Sequence, residues 1–316
     1  MNKGTKIQTI LGMIPAGELG ICYSHEHLFA HATPELAAKD SDLVLDDVSG
    51  VIPDLEAFRK AGGKAIAEMT TVDYGRDVQA LKQLSLKTGV HLIAVTGFNK
   101  GIYCRPYTEG KEIDEIAKTM ISEVVDGIDQ TGIKAGLIKF GTSLDRIHPW
   151  EEIAARAAAR AHLQTGAPII THTEAGTMGE EQLALLAEEG VSAENVILCH
   201  MDRNPDLDLH VKVAERGAFL SYDQIPKKKY DTEDAAIQLV LRLAERNLHK
   251  QILIGGDFAR KQYFKGWNGE PGLDYLITTF TRKLYAALAS AGLAADAIVE
   301  DLFVHNPARA FALRRL

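Results

Sequence analysis

Eight short apolar runs recur along the chain, each separated from the next by a longer stretch with helical periodicity. The runs at 21–27, 65–72, 91–96, 135–140, 168–173, 196–200, 218–222 and 251–255 have the length and composition of strands. Between them, segments such as 112–130, 150–164, 179–189 and 232–247 repeat apolar residues every three or four positions. Strands joined through helices pair in parallel, because a parallel neighbour needs a crossover connection. Eight such units with no Ser- or Pro-rich linker predict one α/β domain over 1–316, a closed (β/α)8 TIM barrel. An open doubly wound sheet is the rival, and the absence of Gly-x-Gly-x-x-Gly after the first strand weakens it. A β-hairpin is expected over 8–19, turning near Pro15-Ala16-Gly17. The stretches 273–289 and 295–316 read as closing helices, with Asn306-Pro307 a turn or helix start.

In a barrel of this kind chemistry sits at the C-terminal strand ends. Those ends carry His25 and His27 (strand 1), Lys139 (strand 4), His172 (strand 5), His200 (strand 6) and Asp257 (strand 8). In His25-Glu26-His27 the two imidazoles share one strand face and Glu26 the other, which makes a chelating pair. Six polar groups meeting at one mouth would each need a partner once buried, and divalent metal ions satisfy them together. Lys139 stands among apolar neighbours in GLIKFG, where burial favours its neutral amine. That amine reacts with carbon dioxide to a carbamate, an anionic bidentate group able to bridge two metals. By strand alternation Cys199 should point away from the mouth; it and Cys22 are expected in the core.

The set HEH, K, H, H and D on successive strands resembles the phosphotriesterase-related family of the amidohydrolase superfamily. THTEAGTMGEEQLALL after strand 5 strengthens the likeness, which spans essentially the whole chain. The resemblance implies two divalent metals, zinc by default. His25, His27 and Asp257 would hold the more buried one and His172 and His200 the more exposed one. Lys139, as N6-carboxylysine, would bridge them together with a hydroxide. Asp257 is then also the catalytic proton carrier.

HMDRNPD, GGDFARKQYFKGW and TGFNKGIYC resemble the branch of that family that hydrolyses phosphorylated sugar lactones. Its match implies that Lys229, Arg260 and Tyr263 carry the substrate's phosphate, with Lys100 and Tyr103 as further substrate contacts. The residues themselves point the same way, because the loops after strands 7 and 8 concentrate cations in a chain of formal charge -8. Guanidinium forks and ammonium groups bind phosphate oxygens. Roles for Lys227, Lys228, Asp73, Tyr74, Arg76 and Arg203 stay open at this point.

The expected activity is a metal-dependent lactonase opening an aldono-1,4-lactone 5-phosphate by hydroxide attack on the ring carbonyl. The alternatives on the same metals are a phosphotriester or phosphoester hydrolase and a lactonase for unphosphorylated substrates. A non-catalytic binding protein has no need of such a polar mouth. The acidic balance argues against a nucleic-acid partner, and no apolar run approaches the ~20 residues of a membrane span. The residues after Met1 lack the apolar segment of a secretory signal. Three scattered cysteines fit a reducing compartment, so the expected location is cytoplasmic. A small anionic substrate is the expected partner, and a homodimer is compatible with the sequence.

Overall fold

The structure, a computed structural model, describes residues 4–32, 37–38 and 40–314. Its main sheet has eight parallel strands in chain order. After a hairpin of β1 (Lys6–Thr9) and β2 (Gly12–Pro15) come β3 (Cys22–Glu26), β4 (Ala65–Glu68), β5 (His91–Gly97) and β6 (Leu137–Thr142). Then follow β7 (Ile169–Thr173), β8 (Val196–Cys199), β9 (Phe219–Tyr222) and β10 (Ile252–Ile254). Each expected strand is present, and the expected helices appear at Ile113–Val125, Pro149–Thr165, Gly179–Glu188 and Glu233–Ala244. The chain is a (β/α)8 barrel.

Closure between β10 and β3 is made just past the strand ends. The His25 carbonyl accepts from Asp257 N at 2.9 Å, and the Glu26 carboxylate accepts from Gly256 N (2.8 Å) and Phe258 N (2.9 Å). Glu26 therefore welds the first strand to the last, which is why a charged residue sits between two histidines and is fully buried.

Small and branched side chains fill the barrel interior: Ala65, Ala67, Ile93, Val95, Leu137, Ile170, Ile197 and Leu253. The opposite faces of the strands pack on the surrounding helices. The bottom of the barrel is plugged by Phe311 with Ala308, Ala310 and Ala312. Asn306 starts the last short helix (Asn306–Ala310) and donates to the carbonyls of His249 and Ile252 at 2.9 and 2.8 Å. Burial of a side chain like Phe311 is worth about 1.5–3 kcal/mol, and its truncation leaves a cavity besides.

Two local expectations are corrected. The hairpin turns at Ile10-Leu11, not at Pro15-Ala16-Gly17, which forms a 3-10 turn over Ala16–Glu18. Gly12 follows the reversal at φ 122°, a conformation open to glycine, and Thr9 closes the turn by donating to Gly12 O at 2.7 Å. Cys199 is buried as expected, but it belongs to the barrel-interior cluster and lies beneath the mouth instead of facing away. The reason lies one residue later: His200 has φ 64°, so the chain turns at the strand end and strict alternation stops there.

Candidate metal centre

The six strand-end residues converge. His25 Nε2 lies 3.4 Å from His27 Nε2, and Asp257 Oδ1 lies 3.4 and 3.3 Å from those two nitrogens. On the other side of the mouth His200 Nε2 lies 2.9 Å from His172 Nδ1. Lys139 is 1% exposed between the strands, its Nζ donating to Met69 O at 2.9 Å.

Local backbone irregularity puts these groups in place. Tyr23 packs outward on Phe58, ring centroids 4.7 Å apart, so simple alternation would send His25 outward too. A register shift against β4 between Tyr23 and Glu26 breaks the alternation and turns His25 to the mouth. His200 and Asp257 (φ 45°) reach the site through left-handed backbone just after their strands. Aspartate and histidine are enriched in that region relative to branched residues.

Hydrogen bonding fixes the imidazole tautomers. Thr70 Oγ1 donates its one proton to Glu68 at 2.6 Å, so it accepts from His27 Nδ1 at 2.8 Å. The lone pair of His27 is therefore on Nε2. Asp223 Oδ1 takes the Nδ1 proton of His200 at 2.6 Å; the Gln224 amide nitrogen near the same atom cannot accept one. His172 Nε2 meets Glu174 Oε2 at 3.0 Å, which leaves its lone pair on Nδ1. Two lone pairs thus face each other at 2.9 Å across His172 and His200, and a third set faces Asp257. Such an arrangement repels itself unless a cation lies between, and the donor set of nitrogens and one carboxylate suits a divalent transition metal.

Electrostatics prepare the same outcome. Burial lowers His25 to about 4 and His27 to about 3, and holds His172 well below the ordinary histidine value. Neutral imidazoles are ready ligands. Burial also lowers Lys139, toward the amine form. Burial alone would raise Asp257, but Lys227, His25 and the hydrogen bond with His27 outweigh it, and the carboxylate is held well below its usual range. A second acidic grouping, His25–His200–Asp223, has the shape of a metal set as well. Asp223 sits on the Nδ1 side of both rings, 3.1 Å from His25 and 2.6 Å from His200, which leaves their Nε2 atoms facing the cluster.

The remaining expected residues scatter around the rim. Tyr263 is buried and stacks on Phe258 with centroids 5.3 Å apart. Arg260 is turned to Asp40, with Asp42 at 3.7 Å. Lys229 is exposed, its Nζ 4.5 Å over the Tyr230 ring. Lys229 and Tyr263 line one cavity of about 790 Å³ with Lys227 and Lys228, together with the carboxylates of Asp231, Glu233, Asp234 and Glu270; Arg260 is not part of its lining. Lys100 pairs with Glu174, which also holds Arg203 at 3.0 Å. The Tyr103 ring lies 5.5 Å from Tyr74, itself 5.3 Å from His27. Asp73 and Arg76 are occupied structurally, Asp73 by Asn99 N (2.9 Å) and Arg76 by Glu123 (2.7 Å).

Sequence reasoning missed Asp223 and left Lys227 open. Asp223 ends strand 7 in SYDQ, and a polar residue at that point was a usable signal. Lys227 was hidden in a KKK run that reads as solvated; its Nζ instead contacts Asp257 Oδ2 with the side chain 5% exposed.

A lone-pair cluster at the C-terminal mouth of a β/α barrel defines a metal-dependent hydrolase. The sequence profile of the phosphotriesterase family matches residues 5–311, and this chain belongs to that family. A solved lactonase from Listeria monocytogenes superposes with a TM-score of 0.94 at 38% identity, over 98% of this chain and 100% of that one. The phosphotriesterase homology protein of Escherichia coli, solved with phosphate in its active site, gives 0.87 at 33% identity over 94% and 99% of the two chains. The phospho-furanose lactonase of Mycoplasmopsis synoviae is 30% identical over 96% of this chain and 91% of its own. Among the described residues no helix is long and apolar enough to cross a membrane.

Proposed function

We propose that the enzyme opens a phosphorylated sugar lactone of the aldono-1,4-lactone 5-phosphate type, acting on a small anionic substrate. The observation that carries this reading is a lone-pair cluster suited to divalent ions, joined through the Lys227–Asp257 contact to a cavity lined by Lys227, Lys228, Lys229 and Tyr263 together with Asp231, Asp234 and Glu270. The names of relatives support it, in a phospho-furanose lactonase, a lactonase and a protein with phosphate in its active site.

His25, His27 and Asp257 would hold one ion and His172 and His200 the other, with Lys139 as a carbamate between them. When bound, the ions, zinc by default, supply Lewis acidity to a carbonyl and lower the pKa of water. Asp257 takes the proton of the attacking water and passes it to the ring oxygen as the acyl C–O bond breaks. Lys229, Arg260 and Tyr263 grip the phosphate, away from the reacting bond, and Lys100 and Tyr103 contact the sugar. For Arg260 this requires sharing with Asp40; a guanidinium has five donors and can serve both. Holding the non-reacting phosphate orients the carbonyl for attack.

The test is a panel of 1,4-lactones with and without a 5-phosphate, followed by a pH indicator, alongside aryl phosphotriesters. Preference for the phosphorylated lactones is expected. Faster turnover of the phosphotriesters would replace this reading with the phosphoester one.

A further inference from the structure

Asp257 divides its two oxygens. Oδ1 faces His25 and His27, whereas Oδ2 receives Gln224 Nε2 at 2.7 Å and the Lys227 ammonium. The oxygen left over from the ligand cluster, the one able to accept a proton, is therefore covered by a cation. Lys227 is unusual in its own right: it is almost fully buried, yet belongs to a loop whose next two lysines are exposed. Its Nζ lies 5.8 Å over the Tyr263 ring, and its side chain lines the same cavity as Lys229 and Tyr263. It thus stands where the cluster and the proposed phosphate pocket meet. A lysine stem of four methylenes with three rotatable donors can change partner without moving the backbone.

We infer that Lys227 is a counter-cation exchanged between Asp257 and the substrate's phosphate. This rests on the lactonase reading above. In the resting site Lys227 occupies Asp257 Oδ2 and obstructs its use as a base. A phosphate dianion in the cavity outcompetes the single carboxylate charge, draws Nζ toward Tyr263 and frees the lone pair of Oδ2 that Gln224 does not use. Water oxygen then bonds to the lactone carbonyl carbon and the ring C–O bond breaks. The water proton travels through Oδ2 to the ring oxygen, and Lys227 keeps its own protons throughout. Phosphate in this scheme does more than bind: it switches on the carboxylate that performs the reaction, so selectivity for phosphorylated substrates extends to kcat.

The experiment separates the two parts of the substrate. An unphosphorylated 1,4-lactone is assayed with and without inorganic phosphate on the wild type, Lys227→Met and Lys227→Arg. Phosphate in trans should raise kcat/KM of the wild type by about tenfold or more, a barrier change of about 1.4 kcal/mol. Lys227→Met should show an elevated basal rate that phosphate does not raise further, and Lys227→Arg should keep the stimulation. Independently of turnover, phosphate titrated into metal-depleted protein and followed by phosphorus NMR should bind about tenfold more weakly to Lys227→Met. Wild-type turnover of the phosphorylated lactone with no stimulation by phosphate overturns the switch and leaves the lactonase reading standing. A fallen basal rate in Lys227→Met, with phosphate affinity unchanged, also overturns it, since Lys227 then only braces Asp257. No turnover of either lactone removes the lactonase reading and this proposal with it.

Discussion

Asp223 Oδ1 accepts the Nδ1 proton of His200 at 2.6 Å, while its other oxygen lies 3.1 Å from His25 Nδ1. One fully buried carboxylate thereby fixes the His200 ring by a hydrogen bond and stands close beside that of His25. Ser221 donates to the same carboxylate at 3.0 Å and keeps it from rotating.

Loss of that charge should loosen the metals without removing a ligand. Asp223→Asn is expected to weaken metal binding by about 10–100-fold, the usual cost of an outer partner. Competition with a chromogenic chelator measures it. Unchanged affinity would mean that packing alone orients His25 and His200.

Lys139 is proposed to carry carbon dioxide as a carbamate. Intact metal-loaded protein should contain about two metal equivalents per chain. Lys139→Ala should lose activity, and short carboxylic acids should restore part of it by replacing the bridge. An ordinary ammonium on Lys139 in a fully metal-loaded crystal would refute the bridge.

Asp257→Asn should keep some metal through His25 and His27 while losing about 10²–10⁴-fold in turnover, the range for general acid–base help. Metal content must be read on the same sample. Near wild-type kcat at full metal would exclude Asp257 as the proton carrier.

Arg260→Ala should lower kcat/KM for the phosphorylated lactone by about ten- to more than a hundredfold, since a charge-assisted contact is worth about 1.5–3 kcal/mol. The unphosphorylated lactone should be nearly unaffected. Because Arg260 also holds Asp40, equal losses on both substrates would assign it to bracing its loop.

His210 offers a pH test at a histidine outside the candidate metal cluster. Its nitrogens meet the Tyr222 hydroxyl at 2.6 Å and Asn204 O at 2.8 Å, and burial lowers its pKa. The unfolded chain then takes up a proton first, near the ordinary histidine value of 6.5. Its contribution to stability is full above that pH and declines as pH falls, by at most about 1.4 kcal/mol per unit. Urea midpoints of wild type minus His210→Gln should therefore shrink from pH 7 to pH 5. A constant difference would show that the buried ring accepts its proton without cost.

The order of elements was readable because helical and strand periodicities differ and each element must bury one face. The candidate metal ligands were readable for a related reason: a histidine, lysine or aspartate ending an apolar run has no partner in its own segment. His25, His27, Lys139, His172, His200 and Asp257 all carry that mark in the sequence. What the sequence could not supply is which partner each nitrogen and oxygen finds across the barrel. Asp223 reaches His25 from β9 to β3, Thr70 reaches His27 from the end of β4, and Lys227 turns inward while its neighbours in KKK stay in solvent. Strand parity misplaced Cys199 because His200, the next residue, takes left-handed backbone and turns the chain at the strand end. Local sequence determines which residues reach the end of the barrel, because period and burial are local properties. Closing the ring decides their contacts, since only then do residues more than 200 positions apart share one hydrogen bond, as Glu26 does with Gly256.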